Sequence, residues 1–506
     1  MPSVLPRFLT AAVTSVAGAF LGRKNSEGKT ESTDQIHKRV RIAIIGAGIG
    51  GSSCSYFLTD LKSKRLSSTK IDFEIDIFER DRIGGRMRTA VIGGQTVETG
   101  ASIIHPKNEY MVNFAKLLGL KTVTAKEITG NKLGLYDGQS FVYEDVSRWS
   151  FVNDLSLLWR YGYDCIRYKG FIKDMLSKFG RIYSLQSNNG CYPDVQSMLG
   201  AMDPQFPPLC NQSIKDRLGE LGFGQRFTSE LAAAIMNVNY GQNIDEVHAF
   251  VGAVSLAGAG DELWAVKGGN QQVAEGLVKQ SDATLYRGAV TSISYDASND
   301  KYSVECTDSN NNPIPVLRPY DYVVIACPLA DQARGDLKFV NFTVDPSHYG
   351  PYHRTVSSFA VGVPRATTWH KRDDNLPNEI LCCNTSLSYN SVGQWKSSEA
   401  TDKTPKSNLL NYGVWKVFSR STLDSDLKSR YFAKIDDWVV YDWFAYPHYS
   451  VNDLAESDTG NKRGNFKLAP RVYHVNAIEW AASAMEMGAI GAKNVALLIM
   501  KDIEDN

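Results

Sequence analysis

The chain has 506 residues, 43% of them hydrophobic, with 55 basic and 55 acidic side chains and no formal net charge. That length and apolar content support more than one large core, and the balanced charge excludes nucleic-acid binding as the main function, which needs a concentrated basic surface. No internal repeat and no heptad run occurs, which excludes solenoid and coiled-coil architectures. In chain order, residues 8–21 (FLTAAVTSVAGAFL) come first, an apolar run behind Arg7 with Ala17 and Ala19 in an A-x-A arrangement. The run reads as a signal peptide over 1–21, followed by a polar linker over 22–38; it is too short for an ordinary span of about 20 residues. An uncleaved anchor and an amphipathic organelle-targeting helix are the rival readings.

Residues 40–88 hold the parts of an adenine-dinucleotide cradle in order. An apolar strand, RIAII at 41–45, runs into Gly46-Ala47-Gly48-Ile49-Gly50-Gly51, and residues 52–61 continue with helical spacing. Gly46 permits a tight turn, Gly48 removes the Cβ that would block a pyrophosphate, and Gly51 lets helix and strand approach. Phosphates then sit on the helix N-terminus, where unpaired N–H groups and the dipole favour anions. IDFEIDIF at 71–78 alternates as a strand and ends on Glu79, an acceptor for ribose hydroxyls. The gap from the glycines to Glu79 exceeds the usual spacing of about 20 residues because the polar stretch 62–70 lengthens the loop. Beyond it, DRIGGRMR brings Gly84 and Gly85 close to the cofactor and offers the Arg86 guanidinium as a planar fork for phosphate oxygens. A nicotinamide enzyme needs no second glycine turn there, whereas a flavin buried lengthwise does, so FAD is favoured over NAD.

Further along, residues 111–231 are rich in aromatics and helical pattern, notably 155–171, and this runs on through 223–235 as a helical cap or substrate region. LWAVKGGNQQV at 263–273 sets Gly268-Gly269 ahead of a helix. Residues 287–306 read as strands around a turn at 296–300, 307–319 as polar loop, and YVVIA at 322–326 as a buried parallel strand. Residues 340–449 alternate strands with Pro/Asn/Ser turns and form the sheet of a second domain. VYHV at 472–475 is a short strand, and 479–500 reads as one long buried helix. The fold class is α/β: a Rossmann-like FAD-binding domain over 39–110, 237–335 and 466–506, interleaved with a mixed-sheet and helical substrate domain over 111–236 and 336–465.

The eight cysteines are too sparse for a disulfide scaffold. Cys54 and Cys327 read as small core residues, and Cys191 with Cys210 as a candidate pair in a loop-rich region. The histidines show no ligand spacing, so no metal is expected. Asn211, Asn341 and Asn384 head N-x-S/T sequons, glycosylation acceptors if the chain enters a secretory compartment.

The glycine turn with IGGRM, ETGASIIHP, the block at 237–270, VWKVFS, WFAYPHY and NAIEWAASAMEMGAIGAKNVALL resemble the prenylcysteine oxidases, FAD-dependent thioether oxidases, from about Val40 to the end. The resemblance implies that Gly46, Gly48, Gly51, Glu79, Arg80, Gly85 and Arg86 bind the ADP half and that Val290 lies by the adenine. It places Gly100, Ala101 and Ser102 at the flavin ring. Residues 484–487, with Glu486 and Met487, then present the N–H groups of the last helix to the flavin N1/O2 edge, where negative charge gathers on reduction. The implied reaction is hydride transfer from isoprenoid C1 to flavin N5, water addition to the sulfur-stabilised cation, and release of cysteine and an isoprenoid aldehyde. O2 reoxidises the flavin to give hydrogen peroxide.

A farnesyl chain needs an apolar tunnel, for which Trp264, Trp443, Tyr446 and the aromatics of 149–168 are candidates. His105, Lys267 and Glu479 are the polar candidates near the reacting centre: His105 also reads as a turn cap, Lys267 as a solvated lysine, and Glu479 as a partner of the ribityl chain or the substrate ammonium. The implied partners are a small lipidated cysteine and O2, without nucleic acid or an obligate protein partner, and peripheral membrane association is left open. The family points to a lysosomal or vacuolar end point. Two rival functions are a flavin oxidase of another substrate, such as an amine, and a non-catalytic prenyl carrier.

Overall fold

The computed structural model describes residues 38–65, 71–128, 132–145, 150–259, 262–316, 318–330, 337–396, 409–454 and 463–505. The leader and linker expected over 1–38 lie outside these residues except for Lys38, as does Trp149. Lys38–Asn506 forms one compact unit.

The apolar run at 41–45 forms the inner part of Lys38–Ile45, a central strand of a six-stranded sheet whose order is Lys467–Ala469, Val472–His474, Tyr322–Ile325, Lys38–Ile45, Ile71–Glu79, Thr284–Arg287. Ile42 lies opposite Tyr322 on one side and Ile75 on the other, both pairings parallel. Every residue of Tyr322–Ile325 is buried, as a parallel strand covered on both faces requires. On one face, Phe57 and Leu58 of helix Ile49–Arg65 share a core with Ile490 and Leu497 of the last helix, Met485–Asp505. On the other, Ala43, Ile45 and Phe78 pack against Ile293, Tyr302 and Val304 of a four-stranded sheet.

A seven-stranded sheet makes the second layer system, in the order Phe432–Pro447, Tyr352–Pro364, Gly413–Ser419, Ser391–Trp395, Glu379–Cys382, Leu133–Tyr136, Phe141–Glu144. The chain therefore passes between the nucleotide-type sheet and this sheet more than once, the interleaved α/β architecture expected above. Helices Ser150–Tyr161, Asp164–Phe179, Arg181–Ser187, Val195–Met202, Ala233–Tyr240 and Ala249–Ala257 supply the helical part.

Several local expectations are corrected. The helical pattern over 155–171 is broken at Gly162, whose φ of +59° ends one helix before the next begins at Asp164. Strands Leu133–Tyr136 and Phe141–Glu144 interrupt a region that reads as helical; both are only four residues long, too short to show a period. The last helix starts at Met485, and Glu479 belongs instead to the 3-10 turn Val475–Trp480. Part of the loop 307–319 pairs as the short strand Pro313–Ile314. Cys191 and Cys210 are both free thiols, and Cys327 is half-buried, packing against the core on one side and lining a cavity on the other.

Candidate functional site

Three glycines of the turn answer to different demands. Gly46 has φ +104°, and a Cβ there would lie 2.9 Å from the Ala326 carbonyl oxygen. On Gly51 it would lie 1.9 Å from the Gly46 oxygen, inside any possible contact. Both are required by the protein's own packing. A Cβ on Gly48 meets only Gly84 and Gly85 backbone at 3.9 Å, across the gap between two facing glycine turns joined by the Gly84 N–H donating to the Ala47 oxygen at 2.9 Å. What Gly48 keeps clear is the cavity itself.

That cavity measures about 2780 Å³ and is lined by Gly46, Gly48, Glu79, Arg80, Gly85, Arg86, Gly100, Ala101, Ser102, Val290 and Met487 among others; Gly51 stands behind it. The volume exceeds the roughly 300–1,000 Å³ of a single small-ligand pocket, leaving room for a nucleotide and a lipid chain together. Glu79 closes the second strand with its carboxylate held by the Ala47 N–H at 2.8 Å and the Asp81 N–H at 2.9 Å. Each oxygen keeps a lone pair free for a ribose hydroxyl. Facing glycine turns, a fixed acceptor at the strand end and the start of helix Ile49–Arg65 fit an adenine dinucleotide.

Arg86 departs from the expected phosphate fork. Its guanidinium donates to both Glu479 carboxylate oxygens and to the Ala445 oxygen, and Glu479 also accepts from the Tyr352 hydroxyl at 2.7 Å and the Asn476 amide at 2.7 Å. Burial opposes the Arg86 charge, and the Glu479 partner outweighs it, holding the guanidinium above its ordinary value. A carboxylate saturated in this way orients the wall of the cavity and has no vacancy for acid–base work, which removes Glu479 from the catalytic candidates.

The segment 98–102 is held from several sides. A Cβ on Gly100 would lie 1.9 Å from the Arg86 oxygen, and Trp443 donates its indole N–H to the Thr99 oxygen at 2.9 Å. Asn270, fully buried, donates to the Ala101 and Ser102 oxygens at 3.0 Å each. Lys416 donates to the Glu98 oxygen at 2.9 Å and the Ser102 hydroxyl at 3.2 Å, with its ammonium 4.4 Å from the Phe418 ring centre. Burial pulls Lys416 down to about 8, against the attraction of Glu98, and pushes Glu98 up to about 7. Asn270 and Lys416 were not among the residues singled out from sequence. Lys416 carries one signal, a lone charged residue inside the apolar block VWKVF, where a buried polar group must be serving a partner; Asn270, in KGGNQQ, carries none.

Other candidates divide. Residues 483–488, around the start of the last helix, line the cavity. The Glu486 side chain, however, accepts from the Tyr110 and Met111 N–H groups and the Tyr183 hydroxyl at 2.8–2.9 Å, capping helix Glu109–Leu117, so only its backbone is left to face a ligand. His105 lines the cavity and caps a turn, its Nδ1 accepting from the Lys107 N–H at 3.0 Å; burial lowers its pKa. Lys267 and Trp264 do not line the cavity: Trp264 sits in a strand paired with Thr122–Thr124 and packs into the core, and Lys267 follows that strand. Trp443 and Tyr446 do line it, Tyr446 edge-on to Tyr240 at 4.9 Å. Asn211 and Asn341 are exposed and Asn384 is half-buried; the Asn341 amide donates to the Tyr295 oxygen at 3.4 Å and the Asn384 amide to the Asp137 oxygen at 3.0 Å.

Comparison with known proteins places this geometry. Residues 144–506 match the family described as prenylcysteine lyase, and residues 44–118 match the NAD(P)-binding Rossmann-like domain. Prenylcysteine oxidase 1 of Homo sapiens is 36% identical over 90% of this chain and 88% of its own length. Prenylcysteine oxidase 1-like of Homo sapiens is 30% identical over 90% of each. Among solved structures, a putrescine oxidase bound to putrescine aligns with a TM-score of 0.58 at 15% identity, covering 92% of this chain and 99% of that one. Cyclohexylamine oxidase from Brevibacterium oxydans aligns at 0.53 and 16%, with the same coverage. These two establish the likeness of fold alone.

Proposed function

The chain belongs to the prenylcysteine lyase family, and on that premise we propose that it is an FAD-dependent oxidase cleaving the thioether of prenylcysteines. The supporting observation is one cavity in which a dinucleotide cradle and a long, largely apolar extension are continuous. When bound, the flavin supplies a two-electron oxidation of the isoprenoid carbon attached to sulfur, and O2 takes up the electrons. Prenylcysteine, O2 and water thus give cysteine, isoprenoid aldehyde and hydrogen peroxide.

The residues here have the tasks of binding, orienting and excluding water. Glu79 and the glycine turns hold the adenosine and pyrophosphate. Arg86, locked by Glu479, shapes the wall, and Lys416 with Asn270 fixes residues 100–102. Trp443, Tyr446 and Tyr240 cover the reacting region, and the apolar walls take the chain, where about 15 carbons gain on the order of 10 kcal/mol at about 0.8 kcal/mol per CH2. No side chain need act as a nucleophile. The apolar run at 8–21 and the exposed Asn211 and Asn341 support delivery through the secretory pathway to a lysosome or vacuole, with glycans at those two positions.

The test is an anaerobic titration of the purified protein with farnesylcysteine. Bleaching of the flavin absorbance, and peroxide on admitting air, is the expected result. A colourless protein that does not take up FAD, or bleaching by simple amines and not by farnesylcysteine, overturns the reading.

A further inference from the structure

Helices Ser150–Tyr161 and Asp164–Phe179 present two unlike faces. The inner face is anchored: Arg160 grips Glu230 through two bonds of 2.7 Å, Tyr161 packs edge-on against Phe227, and the Tyr168 hydroxyl donates to the Leu256 oxygen at 2.6 Å. The outer face carries Leu155, Leu158, Trp159, Tyr163 and Ile166, all exposed, with Trp159 at 89% and Tyr163 at 63%. A contiguous group of large apolar side chains left in water marks an interaction surface. Leu155, Leu158 and Ile166 are at once exposed and part of the cavity wall, so the cavity opens within this patch. Lys169 and Lys173, also exposed and also lining the cavity, stand beside the opening, and Arg167 lies over the Tyr163 ring at 5.0 Å. Over residues 150–180 there are five basic and three acidic side chains; Arg160, Arg167 and Lys178 pair with Glu230, Asp164 and Asp174, so Lys169 and Lys173, with the exposed Asp154, set the charge at the opening.

We propose that this helical pair docks on an anionic phospholipid bilayer, setting the cavity mouth against the lipid so that a hydrocarbon chain enters without crossing water. Trp and Tyr suit the interfacial depth, aliphatic residues between them enter the acyl boundary, and flanking lysines reach phosphate with their ammonium groups while their stems stay in apolar surroundings. Among the described residues no helix is long and apolar enough to cross a bilayer, which makes this a surface contact. A second copy of the chain is the weaker occupant, because self-pairing would set the basic rim against itself and seal the mouth. The docking stands on the surface alone; the nature of the chain that enters rests on the prenylcysteine reading.

The experiment is co-sedimentation of the full-length, flavin-loaded protein with phosphatidylcholine vesicles, with and without phosphatidylserine, in the absence of substrate. Binding to the anionic vesicles, weakened by added salt, is expected. The double variant Trp159→Ser, Tyr163→Ser removes apolar groups that touch neither core nor cavity, and it lowers the vesicle-bound fraction at least about tenfold. The same variant keeps wild-type turnover of dissolved short-chain prenylcysteine and loses turnover of farnesylcysteine presented in vesicles. Absence of wild-type binding, or binding unchanged in the variant, overturns the proposal. So does a concentration-dependent dimer that the variant abolishes. Vesicle binding by a protein inactive on prenylcysteines sinks the substrate reading and leaves the docking intact.

Discussion

Gly48 and Gly51 sit three positions apart and separate two kinds of necessity. Gly51→Ala forces a Cβ into the Gly46 carbonyl, and a loss of about 3 kcal/mol or more in thermal melts is expected. Gly48→Ala has room in the nucleotide-free protein and fills the space between the glycine turns; its melting temperature stays at wild type while flavin affinity falls about tenfold or more, read by calorimetric titration. Lys416 yields a pH prediction. Its ammonium persists below about pH 8 and is lost above, and a buried cation favours a site that becomes more negative on reduction. Wild-type kcat/KM therefore declines as pH rises through about 8, and Lys416→Met is about 10- to 100-fold slower without that decline, measured as a pH–rate profile. The cradle was legible because strand, glycines and acid follow one another in sequence. Asn270 and Lys416 were not, because each meets segment 98–102 only after long excursions of the chain, and no local spacing encodes such a meeting.

The last helix illustrates what an element costs when a charge is buried in it. Lys493, on Met485–Asp505, lies with its ammonium 4.8 Å from the Phe57 ring centre, and burial lowers its pKa to about 8. A lysine whose folded pKa is depressed contributes its full stability only above the unfolded value near 10.5, and that stability is lost as pH falls toward 8. Lys493→Met is accordingly more stable than wild type at pH 7, by about 1–3 kcal/mol, and the gain shrinks as pH approaches 10.5, checked by denaturant melts across that range. Long periodic elements were read correctly in kind: the strands around Lys38–Ile45 and Tyr322–Ile325 and a buried terminal helix. Their ends were not. The break at Gly162 and the start at Met485 rather than Glu479 depend on packing that a periodic pattern does not record.

At the scale of the molecule, the proposed function sets two guests, flavin and substrate, in one cavity. Flavin at a hundredfold over its dissociation constant adds about 2.7 kcal/mol, so the loaded protein melts several degrees above the stripped one by scanning calorimetry. Shortening the substrate from farnesyl to geranyl removes five carbons, with a ceiling of roughly 4 kcal/mol, and lowers kcat/KM by at least about tenfold in steady-state assays. The interleaved fold class was visible in the sequence because cradle-type and sheet-type segments alternate along it, whereas the cavity mouth was not, since it depends on how helices turn their faces. The packing of Phe57 and Leu58 against Ile490 and Leu497 also bears on biosynthesis. The first and last core helices are separated by most of the polypeptide, which a ribosome extends at about 5–20 residues per second. The helix that follows the opening glycine motif must therefore wait on the order of a minute for its C-terminal packing partner.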